Sequence, residues 1–173
     1  MLTQKSLAPM WDQIRQRHGI ALRLIEALPA DRIHDHAIPN MRTPAQLVAH
    51  LYGMVVREMT EGVVRGEIRE VDDAKVAAGL RTHADLLAFV RESYAAAAKA
   101  VASITDAQLQ GTVKTSWGMN PPGWMMISAM QDEFFHHRGQ LYVFVRAMGA
   151  EPPVMWDFEH NAPEFQPKAA QQA

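Results

Sequence analysis

Four segments of about twenty residues carry apolar side chains at spacings of three and four, the spacing that forms one face of an α-helix. Polar connections rich in Pro and Gly separate these segments, and no stretch shows a convincing strand pattern. The sequence therefore predicts an all-α fold, a four-helix bundle. Its predicted helices cover about 7–28, 44–66, 83–103 and 122–148. The connection between the second and third helices is too long for a minimal hairpin, so a simple up-down-up-down order is not required.

Start and stop signals mark the ends of these helices. Thr43 is a predicted N-cap, and Pro44 occupies the first helical position, where its missing N–H has no cost. Thr82 with Asp85 three residues later resembles a capping box at the start of the third helix. Gly149 suits the left-handed position just beyond the fourth helix.

The chain of 173 residues has room for one domain with a sizeable core, and we assign it to residues 1–166. The aromatic residues Trp156, Phe158 and Phe165 of the C-terminal segment are expected to pack on the bundle. Residues 167–173 are expected to be disordered.

Composition excludes several classes of protein. With no cysteine, the chain cannot use disulfides, thiolate nucleophiles or cysteine zinc sites, so any metal ligands must be His, Asp or Glu. The net charge of -2 and the lack of a basic stripe argue against nucleic-acid binding. No run of about 18 apolar residues predicts a membrane span. An N-terminus without an apolar signal region favours the cytoplasm.

The fourth helix carries an unusual pair of polar residues on its apolar face. Glu133 and His137 are four residues apart, so their side chains project one turn apart from the same face. We expect a carboxylate buried there to need an ion-pair partner or a metal. The apolar positions of this face are Met126, Met130, Leu141, Phe144 and Met148.

On the second helix, His50 is the ionisable residue within the apolar stretch "PAQLVAHLYGMVV". If it points inward, it can meet Glu133 and His137 in the bundle core. Three protein ligands with an open fourth position are typical of a catalytic metal site. Two His and one carboxylate suit zinc, and also iron or nickel.

Simpler interpretations of these residues stay open. A Glu–His pair one turn apart is often a surface or hydrogen-bonded pair, and a lone His on an apolar face is often a satisfied core residue. His136 is interpreted as a flanking residue or a partner of the ligands. Arg138 and Gln140 are candidates for contacts with the ligands or for helix packing.

Other polar and aromatic residues give weaker signals. "HDH" at 34–36 could bind metal but lies in a polar connection, and His160 could fold back towards the site. Trp117 and Trp124 could line the mouth of a pocket, although packing is the simpler role. No glycine-rich phosphate loop or nucleophile motif is present.

Two strings together resemble the DinB-like (DinB/YfiT-like) family of metalloenzymes. The first is "TPAQLVAH", which ends at His50, and the second is "FFHHRGQLYVFVRAMGAEPP", which begins at Phe134. The resemblance covers about Leu7 to Pro153. It implies a four-helix bundle, often a homodimer, with a metal held by three histidines. His50 and His137 match two of them. Glu133 stands where the family usually has His, which implies a His-His-Glu site or one that is altered or lost.

The resemblance also implies a class of chemistry. Related bundles include thiol-dependent S-transferases and maleylpyruvate isomerase, which use a low-molecular-weight thiol. The hypothesis is therefore a metal-dependent transferase or hydrolase acting on a small molecule, with zinc or nickel as the expected metal and iron or manganese as alternatives. The alternative is a non-catalytic bundle that binds a metal or small ligand and keeps a vestigial site. The family's "damage-inducible" label describes expression rather than chemistry.

Overall fold

The structure is a computed structural model that describes residues 2–168. Its long helices confirm the predicted all-α, four-helix class, and short helices and strands fill the connections. The elements are α1 (Gln4–Glu26), α2 (Pro44–Ala49), a π-helical segment (His50–Glu58), α3 (Met59–Arg65), β1 (Glu67–Ile68), α4 (Asp73–Gly79), α5 (His83–Ser103), α6 (Asp106–Gln110), β2 (Lys114–Thr115), α7 (Gly123–Ala147) and a 3₁₀ turn (Pro163–Phe165).

Residues 44–65 form one continuous helix, here called the composite helix, in which α2, the π-helical segment and α3 follow one another without a break. Thr43 caps it as predicted, and its hydroxyl accepts a hydrogen bond from the backbone N–H of Gln46. Gly66 ends it in the left-handed conformation, with φ of 79°. No local sequence signal predicted the π-helical segment.

The long helices do not pack in the order of the sequence. Both α1 and the composite helix pack against α5 and α7. The first and second long helices therefore lie at opposite corners of the bundle, as do the third and fourth, whereas the second and third are neighbours. One hydrogen bond still crosses the bundle, between Nδ1 of His18 on α1 and the hydroxyl of Tyr52, 2.9 Å apart.

The predicted start of the first helix is wrong by three residues. The helix begins at Gln4 rather than Leu7, because Thr3 and Ser6 form a capping box whose hydrogen bonds satisfy free N–H groups at the helix start. It ends at Glu26, shortly before the predicted Leu28. By contrast, the third and fourth helices lie within one residue of their predicted limits, and Gly149 has the expected positive φ of 84°.

The connection between the composite helix and α5 contains structure that the sequence did not predict. β1 pairs in parallel with β2, Glu67 opposite Lys114, and this two-residue pairing joins two connections without changing the all-α class. The short helix α4 follows, and the Asp72 side chain caps it by accepting from the backbone N–H of Lys75. Its first residue, Asp73, faces the composite helix.

The C-terminal segment packs on the bundle as predicted for Phe158 and Phe165, which lie against the core. Asn161 is buried and donates a hydrogen bond to the backbone carbonyl of Gln16. The predicted packing of Trp156 on the bundle was wrong, because Trp156 is 63% exposed. Of the expected disordered stretch 167–173, residues 169–173 lie outside the described residues.

Between residues 2 and 168, no helix combines the length and apolar character that crossing a bilayer would need.

Candidate metal centre

His137 lies on the inner face of α7 and is almost fully buried. Its Nδ1 donates a hydrogen bond to Oε1 of Gln140, 2.9 Å away, so the lone pair of the neutral ring is on Nε2. Burial lowers the pKa of the His137 imidazole below its ordinary value. The ring is therefore neutral at neutral pH, the form that binds a metal.

Nε2 of His137 has no hydrogen-bond partner even though it is buried. The Oε2 atom of Glu133 lies 3.1 Å away, but not in the geometry of a hydrogen bond. A buried lone pair left without a donor is costly. A cation between the two side chains would satisfy both atoms at once.

His50 is the first residue of the π-helical segment and faces His137 across the bundle. The two imidazole rings are 4.8 Å apart at their centroids and nearly perpendicular, at 86°. Nδ1 of His50 lies 2.7 Å from Oδ2 of Asp73, and because a carboxylate can only accept, Nδ1 carries the proton. Nε2 is left with the lone pair.

The structure thus brings together the three residues that the sequence singled out. One possible donor atom from each of His50, Glu133 and His137 lies within 4.8 Å of the other two. Two tetrahedral zinc ligands are separated by about 3.3 Å, from bond lengths of about 2.0–2.1 Å. The 3.1 Å between His137 and Glu133 is close to that value. The donor set therefore fits a divalent ion after small side-chain movements.

Glu133 is not buried, contrary to the expectation from its place on the apolar face. Its side chain is 50% exposed, because the face opens into a cavity at this level of α7. Water reaches the carboxylate, so its charge needs no buried partner. Its position on the helix still directs it to His137.

The cavity beside the triad has a volume of about 380 Å³. Trp117 lines it and is 48% exposed, as expected for a residue at a pocket mouth, whereas Trp124 packs against the core. The shape and lining of this cavity have no local sequence signal, because its wall combines a loop with two helices distant in sequence. The lining residues are His50, Met54, Val55, Met59, Trp117, Met119, Pro121, Met125, Met126, Ala129 and Glu133.

Partners of the ligands come from two elements. Gln140 contacts His137 and also lies 3.1 Å from Nε2 of the exposed His136. His136, Gln140 and His137 therefore form one continuous set of contacts. Arg138 is instead buried, with its guanidinium over the ring of Phe135. Asp73 was missed by sequence reasoning, because it lies in a connection that had no assigned structure.

The other candidate histidines are used elsewhere. His34 contacts the backbone carbonyl of Leu80, and His36 that of Met41. His160 contacts Asp157 at 2.5 Å and is largely exposed, so it does not fold back to the site. Within residues 2–168, the triad is the one cluster of at least three His, Asp or Glu side chains whose donor atoms converge.

Comparison with known proteins identifies the family of this chain. A crystal structure of a DinB-like protein from Bacillus subtilis has the same fold, with a TM-score of 0.64 and 18% sequence identity over 81% of this chain and 92% of that one. A search of curated proteins gave no match. The model of the DinB family matches residues 1–169, almost the whole sequence. The chain therefore belongs to the DinB family.

Proposed function

We propose that this DinB-family chain is a metal-dependent enzyme whose ion is held by His50, Glu133 and His137. The observation that carries the proposal is the convergence of three possible ligand atoms within 4.8 Å, one of them the buried and unpartnered Nε2 of His137. Three protein ligands leave a position open for water or substrate.

Each neighbouring residue has a defined part in this site. Asp73 fixes the orientation of the His50 ring and keeps its proton on Nδ1. Gln140 does the same for His137. A bound divalent ion would lower the pKa of a water or thiol and supply a nucleophile at neutral pH. The adjoining cavity would hold the rest of a small substrate away from water.

The donor set favours zinc or nickel, since two imidazoles suit both metals. The carboxylate of Glu133 also suits iron or manganese, which prefer harder ligands. The proposed reaction is S-transfer with a low-molecular-weight thiol, or hydrolysis. We also propose that the chain acts in the cytoplasm as one domain of residues 1–166.

A second candidate is a non-catalytic bundle that binds a metal or small ligand at a vestigial site. The observation favouring it is the 50% exposure of Glu133, which stands where the family usually has histidine. An exposed Glu beside a His, 3.1 Å away, is also explained by an ion pair without any metal.

Elemental analysis of protein purified without an affinity tag separates these candidates. We expect a metal content near one ion per chain, and its loss in His137→Ala. His160→Ala is the matched control, because it removes an exposed histidine away from the cluster. A parent protein that carries no metal, takes up none from added zinc or nickel salts and melts at the same temperature with chelator would end the metalloenzyme proposal.

We further propose a homodimer formed through helix faces. The family resemblance and the prevalence of two-fold dimers among oligomers support it. Light scattering over a wide concentration range tests it, and a monomer at every concentration would refute it.

A further inference from the structure

The cavity beside the triad is lined by apolar side chains, and five of its eleven lining residues are methionines: Met54, Met59, Met119, Met125 and Met126. The ionisable side chains in its wall are His50 and Glu133, both members of the triad. A ligand that fills the cavity thus meets charge in one place and thioether or hydrocarbon elsewhere.

Large apolar side chains at the mouth of this cavity remain open to solvent. Met119 is 58% exposed, Trp117 48% and Met125 42%. Apolar groups gathered around a concave site, rather than scattered singly, mark a place where a ligand or partner binds. Methionine is flexible and makes favourable contacts with aromatic rings through its sulfur, so such a wall adapts to rings of different shape.

A neighbouring cavity of about 320 Å³ has a more polar wall. It shares His50, Met54 and Trp117 with the first cavity, but its wall also contains Glu70, Asp73 and Ser116. A sugar, a peptide or the polar part of a thiol would find hydrogen-bond partners there. In the methionine-lined cavity their polar groups would be buried without partners, which is unfavourable.

We propose that the methionine-lined cavity binds an aromatic molecule with a single metal-binding or anionic head group. The head group is placed at His50 and Glu133, and the ring lies among the methionines beside Trp117. The volume of about 380 Å³ is at the lower end for ligand cavities and suits a small aromatic compound. The placement of the head group rests on the proposed metal site, whereas the placement of the ring rests on the cavity wall.

Two probes with the same head group test this assignment. Benzohydroxamate carries a ring and acetohydroxamate a methyl group, and both heads bind zinc. Protein labelled with ¹³C in its methionine methyl groups is titrated with each probe, once zinc-loaded and once metal-free. In the zinc-loaded protein we expect benzohydroxamate to bind at least about tenfold more tightly, because it buries a ring. In both forms it should shift the signals of Met54, Met119 and Met125, while that of Met155 stays unchanged.

A pair of variants links the preference to the cavity wall. The double variant Met119→Gln and Met125→Gln exchanges two thioethers for amides of similar shape, and the preference for the ring should fall severalfold. Met155→Gln is the matched control, because Met155 is 44% exposed and does not line the cavity. Its preference for the ring should equal that of the parent.

The outcomes separate this inference from the proposed function. Zinc-dependent binding of both probes with equal affinity would overturn the aromatic assignment and leave the metal site standing. Ring-dependent shifts in the cavity methionines without any effect of zinc would support the ring assignment and contradict the metal site. If neither probe shifts a cavity methionine, with or without zinc, the inference is wrong.

Discussion

Oδ2 of Asp73 lies 2.7 Å from Nδ1 of His50, and this contact joins α4 to the start of the π-helical segment. A histidine that donates one ring N–H to a carboxylate has its tautomer and its ring orientation fixed, and its second nitrogen becomes more basic. Arg42 also approaches Oδ2 of Asp73, at 3.9 Å. Asp73 is therefore a positioning residue for the proposed ligand His50.

Asp73→Asn should weaken zinc binding by about 10- to 100-fold, the usual effect of removing a partner of a metal-bound histidine. The amide still accepts a hydrogen bond from His50 but no longer places a negative charge beside the ring, a charge that strengthens the binding of a metal by histidine. Titration calorimetry with zinc measures the change. The matched control is Asp72→Asn, which removes the adjacent charge while Asn remains a good cap for α4.

Equal zinc affinity in the Asp73→Asn and Asp72→Asn variants would show that Asp73 acts only through general charge or not at all. The melting temperatures of the two variants in the presence of chelator show whether folding has changed. A structural role alone would lower melting without lowering zinc affinity.

Two glycines of α7 should respond to alanine in opposite directions. A Cβ at Gly123 would collide with the backbone carbonyl of Gln108, where α6 meets the start of α7. Gly123→Ala should therefore lower the free energy of unfolding by about 1–3 kcal/mol. At Gly139 a Cβ meets nothing within 4 Å, so Gly139→Ala should raise it by about 0.5–1 kcal/mol through better helix propensity. Urea denaturation measures both, and a stable Gly123→Ala protein would contradict the close packing of α6 on α7.

The sequence predicted the parts of this structure that local signals encode. Capping residues such as Thr43 and Thr82 and the apolar spacing located the long helices, and Glu133 and His137 share a face because they are four residues apart. The exposure of Glu133 could not be predicted in this way, since it depends on a cavity built from three separate segments. The pairing of His50 with Asp73 needs an unpredicted short helix.

The buried His18 should make stability depend on pH. It is fully buried, stacks on Tyr94 with ring centroids 3.8 Å apart and contacts the hydroxyl of Tyr52. Burial, with a smaller effect of the positive charge of Arg91, lowers the pKa of His18 to about 3. The unfolded chain binds this proton near pH 6.5, so below that pH protonation favours unfolding.

From about pH 6 to pH 4, His18 should reduce the free energy of unfolding by about 1.4 kcal/mol per pH unit. This reduction is absent above about pH 6.5 and reaches its full size below about pH 3. His18→Phe keeps an aromatic ring but cannot titrate, so its unfolding energy should have a shallower slope although its stability at pH 7 is lower. Parallel slopes in urea denaturation of the two proteins would show that His18 is protonated when folded.

Substitutions of Glu133 decide between a working site and an ion pair. Glu133→Gln keeps the shape of the side chain and removes its charge. If Glu133 binds the metal, this variant should hold zinc more weakly, and chelator should affect its melting temperature less than that of the parent. If Glu133 only pairs with His137, the variant should melt at a lower temperature with unchanged metal content.

Glu133→His restores the three-histidine set that is usual in the family. We expect it to bind zinc or nickel at least as tightly as the parent, because imidazole is a good ligand for both metals and the half-exposed position leaves room for the ring. Val143→His is the matched control, since it adds a histidine to an exposed position of α7 that has no His, Asp or Glu one turn away. Its zinc affinity should not rise. Competition titration with a zinc indicator compares the three proteins. A Glu133→His variant that folds normally but loses zinc would show that position 133 does not face the ion, and the His-His-Glu assignment would be wrong.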